Sequence, residues 1–339
     1  MKHLLIYFLL PSSQYLYSQV TDSSLFYFNK GLEEKTARRY QVASKNFDKA
    51  ISFNPKFTEA YIENGKANLE MRKVDPALAN FTKANELKPG DKEVMKNLTT
   101  LYFNNRQFQK AIDLAQNCKE CPDAERIIAM SNYELEDYNK AIPALQNVLT
   151  KDPGNAEVTY TLARSFVESE DYKHAIPQFQ KAIDLDRSHN AWMYELGLVY
   201  HNVNDFENAV KYMKMAADSG YPKTNDYYEN LGYAYLYSGD FDNALKNLNI
   251  VAAKKPNNKE ILTEVAFAYY KRQRYDEALN YYSQLFQKDK NDARSLYMAG
   301  MCFQKKGDNK KGQAMCDKAI EMDPSLKSLR RKQDAPFGL

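Results

Sequence analysis

The sequence predicts an all-α solenoid of antiparallel helix–turn–helix units, and three observations carry that expectation. A small residue recurs at Ala43, Ala77, Ala111, Ala141, Ala175, Ala209, Ala244, Ala278 and Gly312, with steps of 34, 34, 30, 34, 34, 35, 34 and 34 residues. A fixed period in this range marks stacked supersecondary units, each too small to bury its own apolar face. Apolar residues follow each marker on one helix face, as Phe47 and Ala50 follow Ala43 and as Leu248 and Val251 follow Ala244. Prolines close many of the units, at Pro55, Pro89, Pro153, Pro256 and Pro324. Proline lacks the N–H and clashes with the preceding turn, so it ends a helix.

At the start, Lys2, the apolar run Leu4 to Leu10 and the polar stretch after Pro11 have the order of a secretory signal, with a cut expected after Ser18. Seven apolar residues cannot span a bilayer core of about 30 Å. Residues 1–18 are therefore expected to direct export, which makes the chain extracytoplasmic and, in the style of its signal, periplasmic. The other reading of this stretch is a plain N-terminal extension.

Repeats are expected over residues 24–324, at about 24–57, 58–91, 92–121, 122–155, 156–189, 190–224, 225–258, 259–292 and 293–324. The first has Gly31 in its first helix and Tyr40, Ala43, Phe47 and Ala50 in its second. The second has Tyr61, Gly65, Ala77 and Phe81, and its second helix is predicted to open at Asp75-Pro76, an N-cap followed by proline. In the third, Tyr102, Phe108 and Ala111 lead to Cys118-Lys-Glu-Cys121, and the next unit begins four residues early. Four residues are about one helical turn, so one helix is shortened or one connection tightened while the apolar face is kept. The fourth and fifth carry Pro143 and Pro177 at matched places, where a local bend is expected. The sixth gains one residue at Asp218-Ser-Gly-Tyr-Pro222, and the seventh turns at Gly239-Asp240. The eighth and ninth keep the pattern, with Gly312 as the last marker. Residues 325–339 are a closing helix and tail, with Leu326 and Leu329 turned inward. Gly65, Gly197, Gly232 and Gly300 in first helices are expected to face Ala77, Ala209, Ala244 and Gly312 where the two helices cross.

These residues resemble the tetratricopeptide repeat, a helix pair with an aromatic-Leu-Gly-Tyr, Ala-Phe-Ala-Pro skeleton. The resemblance covers about nine-tenths of the chain, with departures at the 30-residue step, at Gly312, and at Val74 and Asn309 where an aromatic is usual. It implies a right-handed superhelical solenoid with a concave groove lined by first helices. It also implies protein or peptide binding rather than catalysis. One branch of the family clamps C-terminal carboxylates with Lys and Asn one turn apart. Lys96 is the nearest candidate here, but Thr100 stands where the Asn should be, so that role is disfavoured.

Projected from the register, the groove residues are Arg126, Tyr133, Tyr160, Arg164, Tyr194, His201, Tyr233, Tyr237, Phe267, Tyr270 and Tyr297, with Leu236 beside them. Tyrosine offers a large contact area with a polar tip, which suits a protein-binding face. The alternative is that these rings pack between repeats. Charges along the face alternate, and the net charge is only +3, so neither a nucleic-acid partner nor a membrane surface is indicated.

Four cysteines are too few for a disulfide scaffold. Cys118 and Cys121 form a lone CxxC at a helix C-terminus, the wrong end of the dipole for a low thiol pKa. A local disulfide or plain thiols are expected there, and a thiol redox adaptor is the weaker reading. Cys302 and Cys316 are read as buried thiols, with a bridge between them as the alternative. The histidines His3, His174, His189 and His201 do not cluster. With no nucleophile–base pairing, phosphate loop or metal spacing, the reading is a non-enzymatic scaffold without metal or cofactor. A structural, self-associating repeat protein is the alternative.

Overall fold

The structure, a computed structural model, describes residues 13–118 and 121–331. Residues 1–12 of the expected export segment, and the tail after 331, lie outside the described residues. The chain divides into two compact units, one ending at Ser169 and one beginning at Glu170.

In the first unit, first helices α1 (Ser13–Thr36), α3 (Thr58–Glu70), α5 (Lys92–Asn104), α7 (Ala124–Glu134) and α9 (Ala156–Glu168) alternate with second helices α2 (Tyr40–Phe53), α4 (Val74–Leu87), α6 (Phe108–Gln116) and α8 (Tyr138–Lys151). The second unit opens with α10 (Tyr172–Leu185). The pairs α11 (Asn190–Asn202) and α12 (Phe206–Asp218), α13 (Asn225–Ser238) and α14 (Phe241–Lys254), α15 (Lys259–Lys271) and α16 (Tyr275–Lys288), and α17 (Ala293–Lys305) and α18 (Asn309–Met322) follow. A 3-10 turn at Pro324–Leu326 and α19 (Lys327–Arg331) close it, with Leu326 buried and Leu329 packed on the core. Within each unit a helix packs chiefly on its neighbours in sequence, as a solenoid requires.

All nine marker positions are buried. The crossing glycines differ from expectation by one turn. A Cβ at Gly65 would meet the ring of Phe81, and one at Gly232 would meet the side chain of Leu248. The glycines thus make room for the large residue one turn after the marker. At Gly197 and Gly300 the carbonyl of the marker itself, Ala209 or Gly312, also comes close. Gly300 approaches Gly312 and Cys316 while Gln304 approaches Gly312, so α17 and α18 run antiparallel.

Two boundaries also differ. α1 begins at Ser13, before residue 24. α4 opens at Val74 and not at Asp75, because Val74 occupies the register of Tyr40 and Phe108, which open the neighbouring second helices; Lys73 precedes it without a side-chain cap. The 30-residue step is absorbed mainly by α6, which has 9 residues where α4 has 14. Pro143 and Pro177 lie inside α8 and α10, and neither helix ends there.

A feature absent from the sequence reading recurs in the turn of every pair. One residue takes the left-handed conformation at Arg38, Arg72, Arg106, Glu136, Glu170, Asn204, Gly239, Gln273 and Gly307. The next residue closes the turn, as the Lys73 N–H donates to the Asn68 carbonyl at 2.9 Å and the Asp240 N–H to the Tyr235 carbonyl at 2.9 Å. Glycine takes this role in two of the nine turns, and a side chain there costs about 1–2 kcal/mol. Arg72 is exposed. Arg72→Gly is therefore expected to raise stability by about 0.5 kcal/mol, the strain relief being partly offset by chain entropy. Urea unfolding of the two proteins checks it, and a lower midpoint for the variant would contradict it.

Candidate functional site

Each unit presents its own set of the expected groove residues. In the first, α7 lies against both α5 and α9, so first helices stand side by side. This brings Tyr133 of α7 near Arg164 and Glu168 of α9, and burial raises the Tyr133 phenol. Arg164 donates to Glu168 at 3.0 Å and to the Tyr160 hydroxyl at 3.4 Å. Tyr133, Tyr160 and Arg164 form one half-buried polar cluster. Arg126 lies one end away, paired with Asp123 at 3.6 Å.

The second unit divides its residues between packing and surface. Tyr194 is 7% exposed and stacks on Tyr221 with centroids 4.4 Å apart. It also accepts from the Asn230 amide at 2.7 Å, tying α11 to α13. Phe267, Tyr270, Tyr297 and Leu236 are likewise buried. The half-buried remainder is His201, Tyr233 and Tyr237. His201 and Tyr237 meet edge-on at 6.1 Å, and Phe206 packs on Tyr237 at 5.2 Å. Burial lowers the His201 imidazole, which favours its neutral form. Burial raises the Tyr233 phenol, and Glu260, Glu229 and Glu264 raise it further. The Tyr233 hydroxyl and the His201 Nε2 are buried without a hydrogen-bond partner.

The sequence reading missed Glu260 and Glu264. Four residues apart on α15, they share one helix face, and that spacing was the available signal. Glu264 stands in a small cleft with Phe267, Tyr282 and Arg294. Burial pushes its carboxyl up to about 7, Glu260 adds to the rise, and Arg294 opposes it. An acid raised in the folded state favours folding in its protonated form. The stability it lends is therefore lost as pH climbs from the ordinary value of 4.5 to about 7. Glu264→Gln is expected to exceed the parent in stability by on the order of 2 kcal/mol near pH 8, an advantage that vanishes near pH 4. Urea midpoints at the two pH values test this, and an equal difference at both would show that titration is not its cause.

Cys118 and Cys121 are bridged, with Cα atoms 5.4 Å apart, directly after the shortened α6. Cys302 and Cys316 are buried thiols not joined in a disulfide, and burial pushes the Cys302 thiol up to about 12. Among the described residues no group of three or more His, Cys, Asp or Glu could hold a metal ion, and no helix is long and apolar enough to cross a membrane.

Comparison with known proteins supports what the geometry implies. Profiles of the tetratricopeptide repeat match residues 133–175, 235–299, 160–222 and 293–326. Together they cover more than half of the chain. Anaphase-promoting complex subunit 3 of Schizosaccharomyces pombe is 22% identical over 144 residues, 41% of this chain and 22% of that protein. DnaJ protein P58IPK homolog A of Oryza sativa subsp. japonica is 25% identical over 156 residues, 41% of this chain and 33% of that protein. The chain thus spans a third or less of these relatives. The C-terminal part of a TPR repeat-containing protein from Cytophaga hutchinsonii superposes with a TM-score of 0.54 at 16% identity, covering 70% of this chain and 99% of that one. That likeness shows the fold. With tandem helix pairs, buried markers and profiles matched over more than half of its length, the chain belongs to the tetratricopeptide-repeat family.

Proposed function

We propose that this protein is a non-enzymatic scaffold that acts outside the cytoplasm, in the periplasm, and binds a protein or peptide partner along its first-helix face. The tetratricopeptide scaffold fits a protein-interaction role, and the signal-like residues 1–18 support the compartment. The observation that carries the reading is the surface around Tyr233 and Tyr237. Large rings are left half-buried there, and the Tyr233 hydroxyl and His201 Nε2 lack partners. Half-buried tyrosines at the centre of such a face are the kind of residue that dominates binding energy.

The test is capture from native extract on immobilised protein. Tyr233→Ala with Tyr237→Ala is expected to lose the partner, reducing capture on the order of tenfold, while helical circular dichroism is retained. Undiminished capture by a folded double variant would refute this face as the binding surface. Tyr270 is a poor choice for the test because it is buried.

A further inference from the structure

A groove on the second-helix side recurs along the chain, and the reading above does not use it. Tyr102, Tyr200 and Tyr269 share one register position in their first helices. Each meets a polar residue of the preceding second helix: Thr82 at 3.5 Å, Gln180 at 2.8 Å and Asn249 at 3.3 Å. In two cases a second tyrosine also closes the groove, Tyr212 stacking on Tyr200 at 5.4 Å and Tyr281 on Tyr269 at 5.8 Å.

Between α12 and α14 both closures are missing. The register puts Lys214 where Gln180 and Asn249 stand, and Asn247 where Tyr212 and Tyr281 stand. The one inserted residue of the chain falls between Lys214 and Tyr235. Tyr235, the equivalent of Tyr200, has neither a stacked ring nor a side-chain hydrogen bond among the described residues. What remains is a cavity of about 390 Å³ with Tyr227, Tyr235 and Leu231 on its walls. That lies within the size range of ligand pockets. Tyr227 is only 3% exposed, lines the cavity, and its hydroxyl makes no hydrogen bond among the described residues. The hydroxyl itself is not among the fully buried polar atoms, so it is open to an acceptor from outside.

The rim is basic. Lys214, Lys223 and Lys246 are exposed, come from α12, the following connection and α14, and make no ion pair among the described residues, where Asp218 is the one carboxylate lining the cavity. The equivalent cavity between α4, α5 and α6 is balanced instead. There Lys83 pairs with Glu86 at 2.9 Å and Lys110 lies over the Tyr102 ring at 5.5 Å. The unpaired lysines thus distinguish this groove from the cavity between α4, α5 and α6.

We propose that the groove between α12 and α14 docks an acidic peptide segment, its carboxylates held by Lys214, Lys223 and Lys246 and an apolar side chain seated on Tyr227 and Tyr235. Three cations on three separate elements call for several negative charges spaced along an extended ligand. The aromatic floor calls for a large apolar side chain between them. The inference rests on the protein-binding reading and adds a second surface to it, on the opposite side of α13 from Tyr233 and Tyr237, since residues two apart in a helix point about 200° apart.

A fluorescein-labelled Glu-Glu-Phe-Glu-Glu peptide, followed by fluorescence anisotropy with the full chain, is the probe. Saturable binding is expected that weakens as salt is raised. Lys214→Glu with Lys246→Glu, both at exposed positions, should weaken it by about tenfold or more. Tyr235→Phe, which keeps the ring, should weaken it a few-fold. Tyr233→Ala with Tyr237→Ala should leave it unchanged, so failure of the first-helix face and failure of this groove read out separately. No saturation with the parent protein, unchanged affinity in the charge-reversed variant, or loss only in the Tyr233 and Tyr237 variant would each overturn the proposal. So would binding of anionic lipid vesicles without binding of the peptide.

Discussion

Gly300→Val is expected to destabilise the second unit by about 3 kcal/mol and to strip hydrogen-exchange protection from α17 and α18 first. A Cβ at Gly300 would lie 2.8 Å from the Cys316 sulfur and 2.8 Å from the Gly312 carbonyl oxygen. The second of these is backbone, so the clash cannot be relieved by a side-chain rotation. Gly312 is held reciprocally, since a Cβ there would lie 2.5 Å from the Gly300 carbonyl oxygen. In an unconstrained helix, replacing Gly by Ala gains about 1 kcal/mol. At Gly300 the sign should invert even for alanine, because α17 and α18 must move apart to admit one methyl. Urea unfolding with residue-resolved exchange measures both effects, and parent-like stability of Gly300→Ala would contradict the close approach.

Leu248→Ala is expected to cost about 3 kcal/mol, since Leu248 is fully buried and its removal leaves a cavity between α13 and α14. Its partner across the crossing is Gly232, where an added Cβ would fall 2.6 Å from a Leu248 methyl. Gly232→Ala alone is therefore expected to cost about 1–2 kcal/mol by overpacking. Combined, the two changes should cost less than their sum by about 1 kcal/mol or more, because the new methyl occupies part of the space Leu248 vacates. A double-mutant cycle by chemical denaturation reads the coupling directly. Strict additivity would mean that the two residues do not share that space.

The repeat was legible because packing demands it at every turn. Ala43, Ala77 and their equivalents lie where only a small side chain fits, and Phe47, Phe81 and Leu248 fill the adjoining space. Their spacing is imposed by the helix period and therefore shows in one dimension. The candidate faces were legible only as register positions. Tyr194 and Tyr237 are both projected toward the groove. The first is consumed by Tyr221 and Asn230, while the second keeps a half-buried ring. Which fate a ring meets depends on a residue in the next repeat, which no local pattern records. The same holds for Glu264, an ordinary helical glutamate until Phe267, Tyr282 and their neighbours remove its water.

The sequence by itself determined the helix pairs, their number within the expected span, the buried stripe on each and the family to which they belong. These follow from side-chain volume and periodicity along one chain. The tertiary structure alone decided that the glycines clear the residue one turn past the marker, and that a left-handed residue turns each pair even where no glycine marks it. It alone showed that the shortfall of one turn falls mainly on α6. It also separated the filled grooves from the one where Lys214 and Asn247 leave Tyr235 uncovered. Burial and unmet hydrogen bonds are properties of neighbours brought together from different repeats, and their energies are set by that proximity rather than by order along the chain.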